Sequence, residues 1–413
     1  MKIAKRSYLV YVGTFFDEAI VRERGLPSRN AAGSNRMVRV SEALRSAGLP
    51  VIMLSPGISS RVSWQGHLSL PSRLRRMGSV PVLFSRALGL PLIGMLCEGW
   101  FLLYSLNKIA SKREIQAVML YNFPPSFILL ALYMRIFMRK VSIIHNIEDI
   151  SKFHWRDWLP STPVRPFRQL LLAISMNILV RLSAGVIVPS RRFLTAIPTS
   201  KAHLVISGCM PDLPVEVVYS AKKVDLRLRV LYSGSIELEN GIAILIDALE
   251  IINKTHELAA KLSVDICGSG TKVEWVQKKI AEMKNCEIEF HGFVTDQKYR
   301  QLLADADICL ALQDPAGRYG TTNTPSKVYE YLGNGKLVIA TDVGDIAQIP
   351  EDVLTLCDPL TKKNLLRILC DIVNTPERVA RQGATAACYA RKHFSYSVVG
   401  KQMNDFIDLT KVG

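Results

Sequence analysis

Short runs of β-branched and other apolar residues alternate with longer amphipathic segments along the whole chain. In the first half, the runs that predict strands are Tyr8–Val12, Val51–Ser55, Ala117–Tyr121, Val141–His145, Gly185–Val188 and Leu204–Ser207. The segments that predict helices are Asn35–Ala47, Ser126–Met138 and Phe167–Leu182. Because alternating strands and helices form parallel sheets covered by helices on both faces, this half predicts a Rossmann-like α/β domain.

The same alternation restarts in the second half of the 413-residue chain. The predicted strands are Arg229–Ser233, Ser263–Cys267, Ile288–Phe290, Ile308–Leu312 and Leu337–Ala340, and the predicted helices are Gly241–Asn253, Val273–Met283, Asp296–Ala304 and Pro325–Leu332. We therefore expect two doubly wound domains, residues 1–215 and 216–393, linked through the proline-containing stretch Cys209–Val224. Ligands of such sheets bind at the carboxyl ends of the strands, so a cleft between the domains is the expected site.

Charge is divided unequally between the two halves. Residues 1–220 contain 28 Lys and Arg against 11 Asp and Glu, whereas residues 221–413 contain 24 against 25. A strongly basic half suggests an anionic surface or ligand as its partner. Nucleic acid is disfavoured, because the basic residues alternate with apolar helices and lack a series of aromatic side chains for base stacking.

Two apolar stretches of the basic half suggest contact with a membrane. Ala87–Leu106 is long enough to span a bilayer, but Pro91, several glycines and Glu98 interrupt it, so helices lying on the membrane or buried in the domain are favoured over a spanning helix. A basic loop is predicted at residues 73–76. Phe127–Lys140 ends in basic residues and, taken alone, is best interpreted as a core helix with a solvated tip. Basic residues beside apolar surface are typical of peripheral binding to an anionic leaflet.

The sequence gives little support for a metal site or for a catalytic nucleophile. The eight cysteines are scattered without a Cys-x-x-Cys pair, which excludes a zinc site or disulfide framework of the usual spacing and indicates reduced thiols. Asp305-Ala306-Asp307 matches a short manganese-binding pattern, but it lies at a predicted helix end without the surrounding signature. No Ser/His/Asp or Cys/His grouping is evident, so we predict no metal.

The strongest local signal is the segment from Thr324 to Glu330. Thr324 is a good N-cap and Pro325 a good first residue, so a helix is predicted to begin here with its first amides, at Ser326, free to bind an anion. Lys327 in the first turn opposes the helix dipole unless an anion compensates it. Glu330 lies on the same helix face. A lysine near phosphate and a carboxylate near ribose hydroxyls suit a nucleotide sugar; a capped helix with a solvated Lys–Glu pair is the alternative.

Two further strand-to-helix turns contain glycines that would let a ligand approach the backbone. The first contains Gly234 and Ser235, and the second contains Gly268 and Gly270. Neither turn fits the dinucleotide fingerprint or the Walker A pattern. Glycines required only by local packing are an equally good interpretation of the second turn.

Taken together and in this order, the motifs of residues 229–346 resemble the donor-binding domain of GT-B retaining glycosyltransferases of the family 4 type. The first half resembles that family more loosely, through a glycine loop at Gly33 and a strand ending in His145. The C-terminal stretch Phe394–Val412 resembles the family's closing helices, which implies that residues 394–413 pack back on the first domain.

The chain departs from the family pattern at three positions. Thr322 stands where many members have the first of two glutamates, and Ser235 and Asn240 replace an arginine and a lysine that usually contact the donor diphosphate. Members of the family's PSK-containing branch share both departures, so the resemblance still implies an enzyme.

The resemblance implies specific roles for the site residues. Glu330 would bind the ribose, and the diphosphate would be bound by Lys327, Arg318 and the amides near Gly234, Ser235 and Ser326, with Gly268 and Gly270 in the adjoining turn. His145 and the Gly33 loop would face the donor sugar and the acceptor. His145, Lys327 and Glu330 are the predicted catalytic residues, and stabilisation of the leaving diphosphate would require no metal.

The predicted function is transfer of a sugar, with retention, from a UDP- or GDP-sugar to an acceptor hydroxyl. The basic and partly apolar first half suggests a lipid-linked or saccharide acceptor in bacterial polysaccharide or glycolipid biosynthesis. The predicted location is cytoplasmic, at the inner face of the cytoplasmic membrane. Two alternatives stay open: a GT-B UDP-sugar 2-epimerase or hydrolase, and a non-catalytic subunit that binds a partner glycosyltransferase.

Overall fold

In a computed structural model, the chain forms two compact α/β units. The first comprises Met1–Pro189, Leu194–Pro211 and Tyr396–Gly413, and the second comprises Ser190–Phe193 and Asp212–Ser395. The structure describes residues 7–26, 31–57, 69–88, 91–148, 164–195, 197, 201–212, 227–317 and 325–411. The C-terminal helical stretch therefore belongs to the first unit.

Each unit is built on one sheet. The strands of the first unit are β1 Tyr8–Val12, β2 Val51–Ser55, β3 Ser69–Leu70, β4 Arg73–Met77, β5 Val80–Phe84, β6 Ala87–Leu88, β7 Ile115–Tyr121, β8 Ser142–Asn146, β9 Gly185–Val188 and β10 Ala202–Val205. Those of the second unit are β11 Leu228–Ser235, β12 Leu262–Ser269, β13 Glu287–Gly292, β14 Ile308–Ala311, β15 Leu337–Ala340 and β16 Thr355–Leu356.

The strand orders are those of doubly wound sheets. The first sheet has the order β10-β9-β8-β7-β1-β2-β5-β4, parallel except for the edge strand β4, and β3 pairs with β6 in a separate ribbon. The second sheet has the order β13-β12-β11-β14-β15-β16 and is parallel throughout. Chain order reverses at β1 and at β11, so crossover helices cover both faces of each sheet. The predicted fold class is confirmed.

Helices form the outer layers. In chain order they are α1 Glu18–Glu23, α2 Ala31–Ser46, α3 Pro91–Ala110, α4 Ser126–Phe137, α5 Val164–Leu182, α6 Arg191–Leu194, α7 Ile242–Asn253, α8 His256–Ala259, α9 Val273–Ala281, α10 Asp296–Asp305, α11 Ser326–Gly333, α12 Lys362–Asn374, α13 Glu377–Phe394 and α14 Tyr396–Leu409. Side-chain caps fix several starts: Thr295 Oγ1 accepts from Lys298 N, and Thr361 Oγ1 from Asn364 N.

Apolar strand residues and helix faces supply the two cores. In the first unit, Leu9, Tyr11 and Met53 of the sheet pack with Met37 of α2 and Met403 of α14. From β7 onward, the strands are added to the sheet in the direction opposite to that of β1, β2 and β5. Right-handed crossovers therefore place the helices α3, α4 and α5 on the sheet face opposite to α2 and α14. In the second unit the core is formed by β-strand residues together with α7 and α12.

Two local predictions of the first unit were wrong. Residues 73–77 form the strand β4 instead of a basic loop, because Arg73 to Met77 pair antiparallel with β5 and the arginines project from an exposed edge. Gly33 lies in the first turn of α2 and not in a loop before it, since Ala31 and Ala32 extend the helix toward its N-terminus.

The apolar run after residue 87 divides between a short strand and a helix. Its first residues form β6, and most of the rest belongs to α3. None of the helices that the structure describes has the combination of length and apolar character required to cross a membrane.

The manganese-like motif has a structural role. Asp305 ends α10, and Asp307 Oδ2 accepts a hydrogen bond of 2.9 Å from the backbone N–H of Arg229, at the start of β11. Lys336 Nζ donates to the carbonyl oxygens of Ala304 and Ala306. The motif thus fastens the amino ends of β11 and β14, opposite to the strand ends at which ligands of doubly wound sheets bind.

Candidate functional site

The carboxyl ends of β11 and β12 form one side of the candidate site in the second unit. Gly234 and Gly268 are paired in register, and Gly268 has φ +148°. A Cβ on Gly268 would lie 1.7 Å from the carbonyl oxygen of Gly234, and a Cβ on Gly270 would lie 2.4 Å from that of Ile236. The protein's own packing therefore requires these two glycines. A Cβ on Gly234 would meet nothing within 4 Å, so the backbone there faces open space.

Hydrogen bonds hold the turn after β11 in place. The Tyr232 hydroxyl lies 3.1 Å from the carbonyl oxygen of Ser235 and 3.0 Å from that of Asn240, and Asn240 Nδ2 donates to the Ser235 carbonyl. Ser235 itself is exposed. The two residues that replace the family's cations thus contact each other, and their side chains bring no positive charge to the turn.

The helix α11 begins beside this turn, one residue later than predicted. Its N-cap is Pro325, in an extended conformation with φ −65° and ψ 107°, which makes no side-chain cap hydrogen bond. Ser326, the first helical residue, is exposed. Thr324, the predicted cap, and Arg318, a predicted phosphate contact, lie outside the described residues. Because no side chain of the described residues caps them, the first-turn amides can bind an external acceptor.

Lys327 joins three elements of the site. Its ammonium donates to Ser233 Oγ at the end of β11, and it lies 5.4 Å from the centre of the Tyr299 ring in α10. Burial lowers the pKa of Lys327, while nearby Cys267, Glu330 and Cys309 act to raise it. A half-buried cation therefore occupies the positive end of a helix, where an anion would stabilise it.

Seven of the predicted site residues lie at this edge of the second unit, including Gly268 and Gly270 of the turn after β12. The contact between Lys327 and Ser233 places the start of α11 next to the end of β11, which brings Ser326, Lys327 and Glu330 near Gly234 and Ser235. Glu330 is half-buried, three residues after Lys327, and close enough to affect its pKa. The roles of these residues toward a ligand stay predictions.

Ser233 and Tyr299 were missed by sequence reasoning. Both contact the ammonium of Lys327, Ser233 through its hydroxyl and Tyr299 through its ring. Ser233 could have been found from its position directly before Gly234 at a strand end. Tyr299 gave no signal, because it lies in the middle of an ordinary amphipathic helix.

A second cluster of polar groups lies on β12 and β13. His291 Nε2 is 2.6 Å from Asp265 Oδ1, and His291 Nδ1 is 3.3 Å from Glu289 Oε1. Among the residues that the structure describes, this is the one His/Cys/Asp/Glu group with ligand atoms close enough to hold a metal, all within 4.8 Å of one another. His291 is hydrogen-bonded to Asp265 through Nε2, while its Nδ1 lies at ion-pair distance from the exposed Glu289.

In the first unit, His145 lies fully buried near the end of β8. Its Nε2 is 2.6 Å from the carbonyl oxygen of Asn122, which can only accept, so Nε2 carries the proton and Nδ1 is an acceptor. Nδ1 has no hydrogen-bond partner within the described protein. Burial lowers the pKa of His145 to about 4, although the bond to Asn122 acts in the opposite direction. The imidazole is therefore neutral at neutral pH.

A buried ion pair connects the helix of Gly33 with the segment after His145. Arg36 Nε lies 2.9 Å from Glu148 Oε1, and Arg36 Nη2 donates to the carbonyl oxygen of Ile206. Asn122 has φ +57°, and its side-chain oxygen accepts from the backbone N–H of Glu148. Strained backbone and a buried ion pair thus order the carboxyl edge of the first sheet. The roles of His145 and Gly33 toward donor sugar or acceptor stay predictions.

Comparisons with known proteins agree with this geometry. Residues 227–373 match the family model described as glycosyl transferases group 1. No curated protein matches the chain by sequence. Sucrose-phosphate synthase from Thermosynechococcus elongatus superposes with a TM-score of 0.66 at 14% identity, over 98% of this chain and 99% of that one.

Two other solved structures are similar over nearly their full length. HepE of Anabaena, in complex with UDP and glucose, has a TM-score of 0.63 at 16% identity, over 97% of this chain and 99% of its own. WaaG, a glycosyltransferase involved in lipopolysaccharide biosynthesis, has a TM-score of 0.62 at 14% identity, over 98% of this chain and 100% of its own. At these identities the likeness shows the fold alone. The chain has the GT-B fold, and its residues 227–373 match the model of the glycosyl transferases group 1 family.

Proposed function

We propose that the protein is a glycosyltransferase that uses a nucleoside-diphosphate sugar as donor and retains the configuration of the anomeric carbon. The observation that carries the proposal is the position of Lys327, half-buried in the uncapped first turn of α11 and bonded to Ser233 beside the open backbone of Gly234. A cation and free helix amides directed to one strand end form a site for a diphosphate.

Transfer of the sugar requires stabilisation of the charge on the leaving diphosphate and correct positioning of the acceptor. The bond from the anomeric carbon to a diphosphate oxygen breaks, the acceptor oxygen bonds to that carbon, and the hydroxyl proton ends on the leaving diphosphate. Lys327 and the amides near Ser326, Gly234 and Ser235 stabilise the developing negative charge without a metal, and Glu330 binds the ribose. The binding of UDP by the similar HepE supports a nucleotide donor. The buried Nδ1 of neutral His145 has no hydrogen-bond partner within the described protein, and its proposed role toward the donor sugar requires that a ligand reach it.

The proposed acceptor is lipid-linked, and the proposed setting is bacterial polysaccharide or glycolipid biosynthesis at the inner face of the cytoplasmic membrane. The net charge of +17 over residues 1–220 supports contact with an anionic leaflet. The involvement of the similar WaaG in lipopolysaccharide biosynthesis agrees with this setting.

A non-catalytic partner subunit is the second candidate. It is favoured by the turn after β11, where Asn240 donates to the Ser235 carbonyl and neither residue supplies a cation. The half-buried ammonium of Lys327 argues for the enzyme, since a binding subunit has no need to keep a cation in that first turn.

Calorimetric titration with UDP and with GDP tests the proposal. We expect one of them to bind, and the matching nucleotide sugars, incubated with a membrane-lipid extract, to give a product heavier than an extract lipid by one sugar. Binding followed by donor breakdown without a heavier lipid would favour a hydrolase or epimerase. The absence of binding to either nucleotide would contradict the enzyme.

A further inference from the structure

The outer layer formed by α3, α4 and α5 exposes many large apolar side chains. Seven of the twelve exposed large apolar residues in the described part of the chain lie on these three helices: Trp100, Tyr104, Leu132, Ile136, Phe137, Leu170 and Ile174. We call this surface the α3–α5 face. The exposed fractions reach 62% for Trp100 and 69% for both Tyr104 and Phe137, although the Phe137 ring also lies against that of Tyr133.

The three helices lie side by side and run in the same direction. Gly99 packs against the backbone of Ser126 at the start of α4, and further along the Tyr133 hydroxyl donates to Asn107 Oδ1 of α3. Arg135 Nε of α4 donates to the carbonyl oxygen of Leu182 at the end of α5. Each helix has one pair of exposed apolar residues four positions apart, so each helix adds one stripe to a shared surface.

Basic residues flank these stripes, and the three helices together contain a single acidic residue. The sequences of α4 and α5 contain no Asp or Glu, and the one acid of α3, Glu98, accepts a hydrogen bond from Ser126. Burial raises the pKa of Glu98. Exposed cations follow at the carboxyl ends of the helices: Lys108, Lys112, Arg113, Arg139, Lys140 and Arg181.

We infer that the α3–α5 face docks on an anionic lipid bilayer, with its apolar stripes in the headgroup region and its basic helix ends against lipid phosphates. This deepens the proposed function by assigning the membrane contact to named residues. Apolar side chains flanked by cations match a surface that is apolar inside and anionic outside. A second copy of the chain fits less well, because two such faces would bring their cations together.

Sedimentation with vesicles tests the inference on the full chain. We expect binding to vesicles of equal parts phosphatidylcholine and phosphatidylglycerol, weak binding to phosphatidylcholine alone, and loss of binding in high salt. The double variant R139Q/K140Q should bind the anionic vesicles roughly 25-fold more weakly, at about fivefold per charge. The double variant W100S/I136S should lose about tenfold or more.

Matched variants on the opposite layer serve as controls. K401Q and L409S remove an exposed cation and an exposed apolar side chain of α14 and should leave vesicle binding unchanged. Nucleotide affinity should stay at the wild-type value in every variant, which shows that each is folded and separates this test from that of the proposed function. Binding that neither double variant weakens, or no binding to anionic vesicles, would overturn the inference. The inference would also be overturned if analytical ultracentrifugation showed a dimer of the wild-type chain that the W100S/I136S variant does not form.

Discussion

The ammonium of Lys327 lies where the dipole of α11 opposes it, and among the described residues it contacts a hydroxyl and an aromatic ring, with Glu330 near enough to raise its pKa. A diphosphate would supply further countercharge, and most strongly as negative charge develops on the leaving group. We expect K327A to lower kcat by about 100-fold or more, because it removes a preorganised donor that acts in the transition state. The measurement is turnover with the donor that the nucleotide-sugar screen identifies.

The matched control for this variant is K363A, which removes an exposed lysine of α12. It should keep wild-type turnover. Equal activity of K327A and K363A would remove Lys327 from the mechanism.

His145 should make the stability of the protein depend on pH. Its pKa is lowered to about 4 in the folded state by burial, whereas an unfolded histidine titrates near 6.5. Below that value the unfolded chain binds a proton that the folded protein does not, so stability falls as the pH decreases from about 6.5 to about 4.

We therefore expect wild-type protein to lose about 2 kcal/mol more of its unfolding free energy than H145Q between pH 7 and pH 5. Urea denaturation of both proteins at the two pH values measures the difference. Identical losses would mean that the imidazole is solvated or protonated in the folded state.

Single residues were predictable where neighbours in sequence define their surroundings. Lys327 and Glu330 were found because helix spacing places them on one face. Ser233 and Tyr299 were missed, because their contact with Lys327 joins positions far apart in the sequence. The burial of His145 was also out of reach, since it depends on neighbouring strands.

At the scale of elements, the turns after β11 and β12 use glycine for different reasons. A side chain at position 268 would collide with the Gly234 carbonyl and would require an unfavourable φ, whereas one at position 234 would meet open space. We expect G268A to cost more than about 2 kcal/mol of stability. G234A should fold with near wild-type stability and bind the nucleotide more weakly, because its methyl group occupies ligand space.

Thermal unfolding and nucleotide titration of the two variants separate these effects. If G268A were as stable as the wild type, the close approach of the two strands would not be required. If G234A kept wild-type affinity, Gly234 would not line the nucleotide site.

Element prediction succeeded where periodicity is strong and failed at the edges. The buried strands β1, β2, β9 and β15 have the predicted bounds, because a short β-branched run between turn residues has few other solutions. The strand β4 was read as a loop, since its arginines carry no apolar alternation and its pairing with β5 is not a local property.

At the scale of the whole molecule, the charge asymmetry and the two folded units suggest separate partners. We expect a bound nucleotide to slow hydrogen exchange most in peptides of the second unit that cover residues 228–240 and 325–333. Anionic vesicles should slow it most in peptides of the first unit that cover residues 96–113 and 126–140. Both follow from the exclusion of water at the contacted backbone, and mass spectrometry with and without each ligand measures them.

The two ligands serve as each other's control. A nucleotide that protected the first unit while leaving the second unchanged would contradict the assignment of the donor to residues 229–346. The overall composition could predict that an anionic partner exists. It could not show which surface meets it, because the α3–α5 face combines residues from three separated helices.

The direction of these helices has a consequence for the choice of acceptor. They run opposite to the strands, so their basic ends lie at the amino edge of the first sheet, whereas the His145 region lies at the carboxyl edge. A bilayer that holds the α3–α5 face is therefore parallel to the sheet, and one helix layer, about 10 Å thick, separates the two. For the lipid-linked acceptor proposed above, the reacting hydroxyl would have to stand at that height above the lipid. The length of saccharide already attached to the lipid would then select which acceptors are extended.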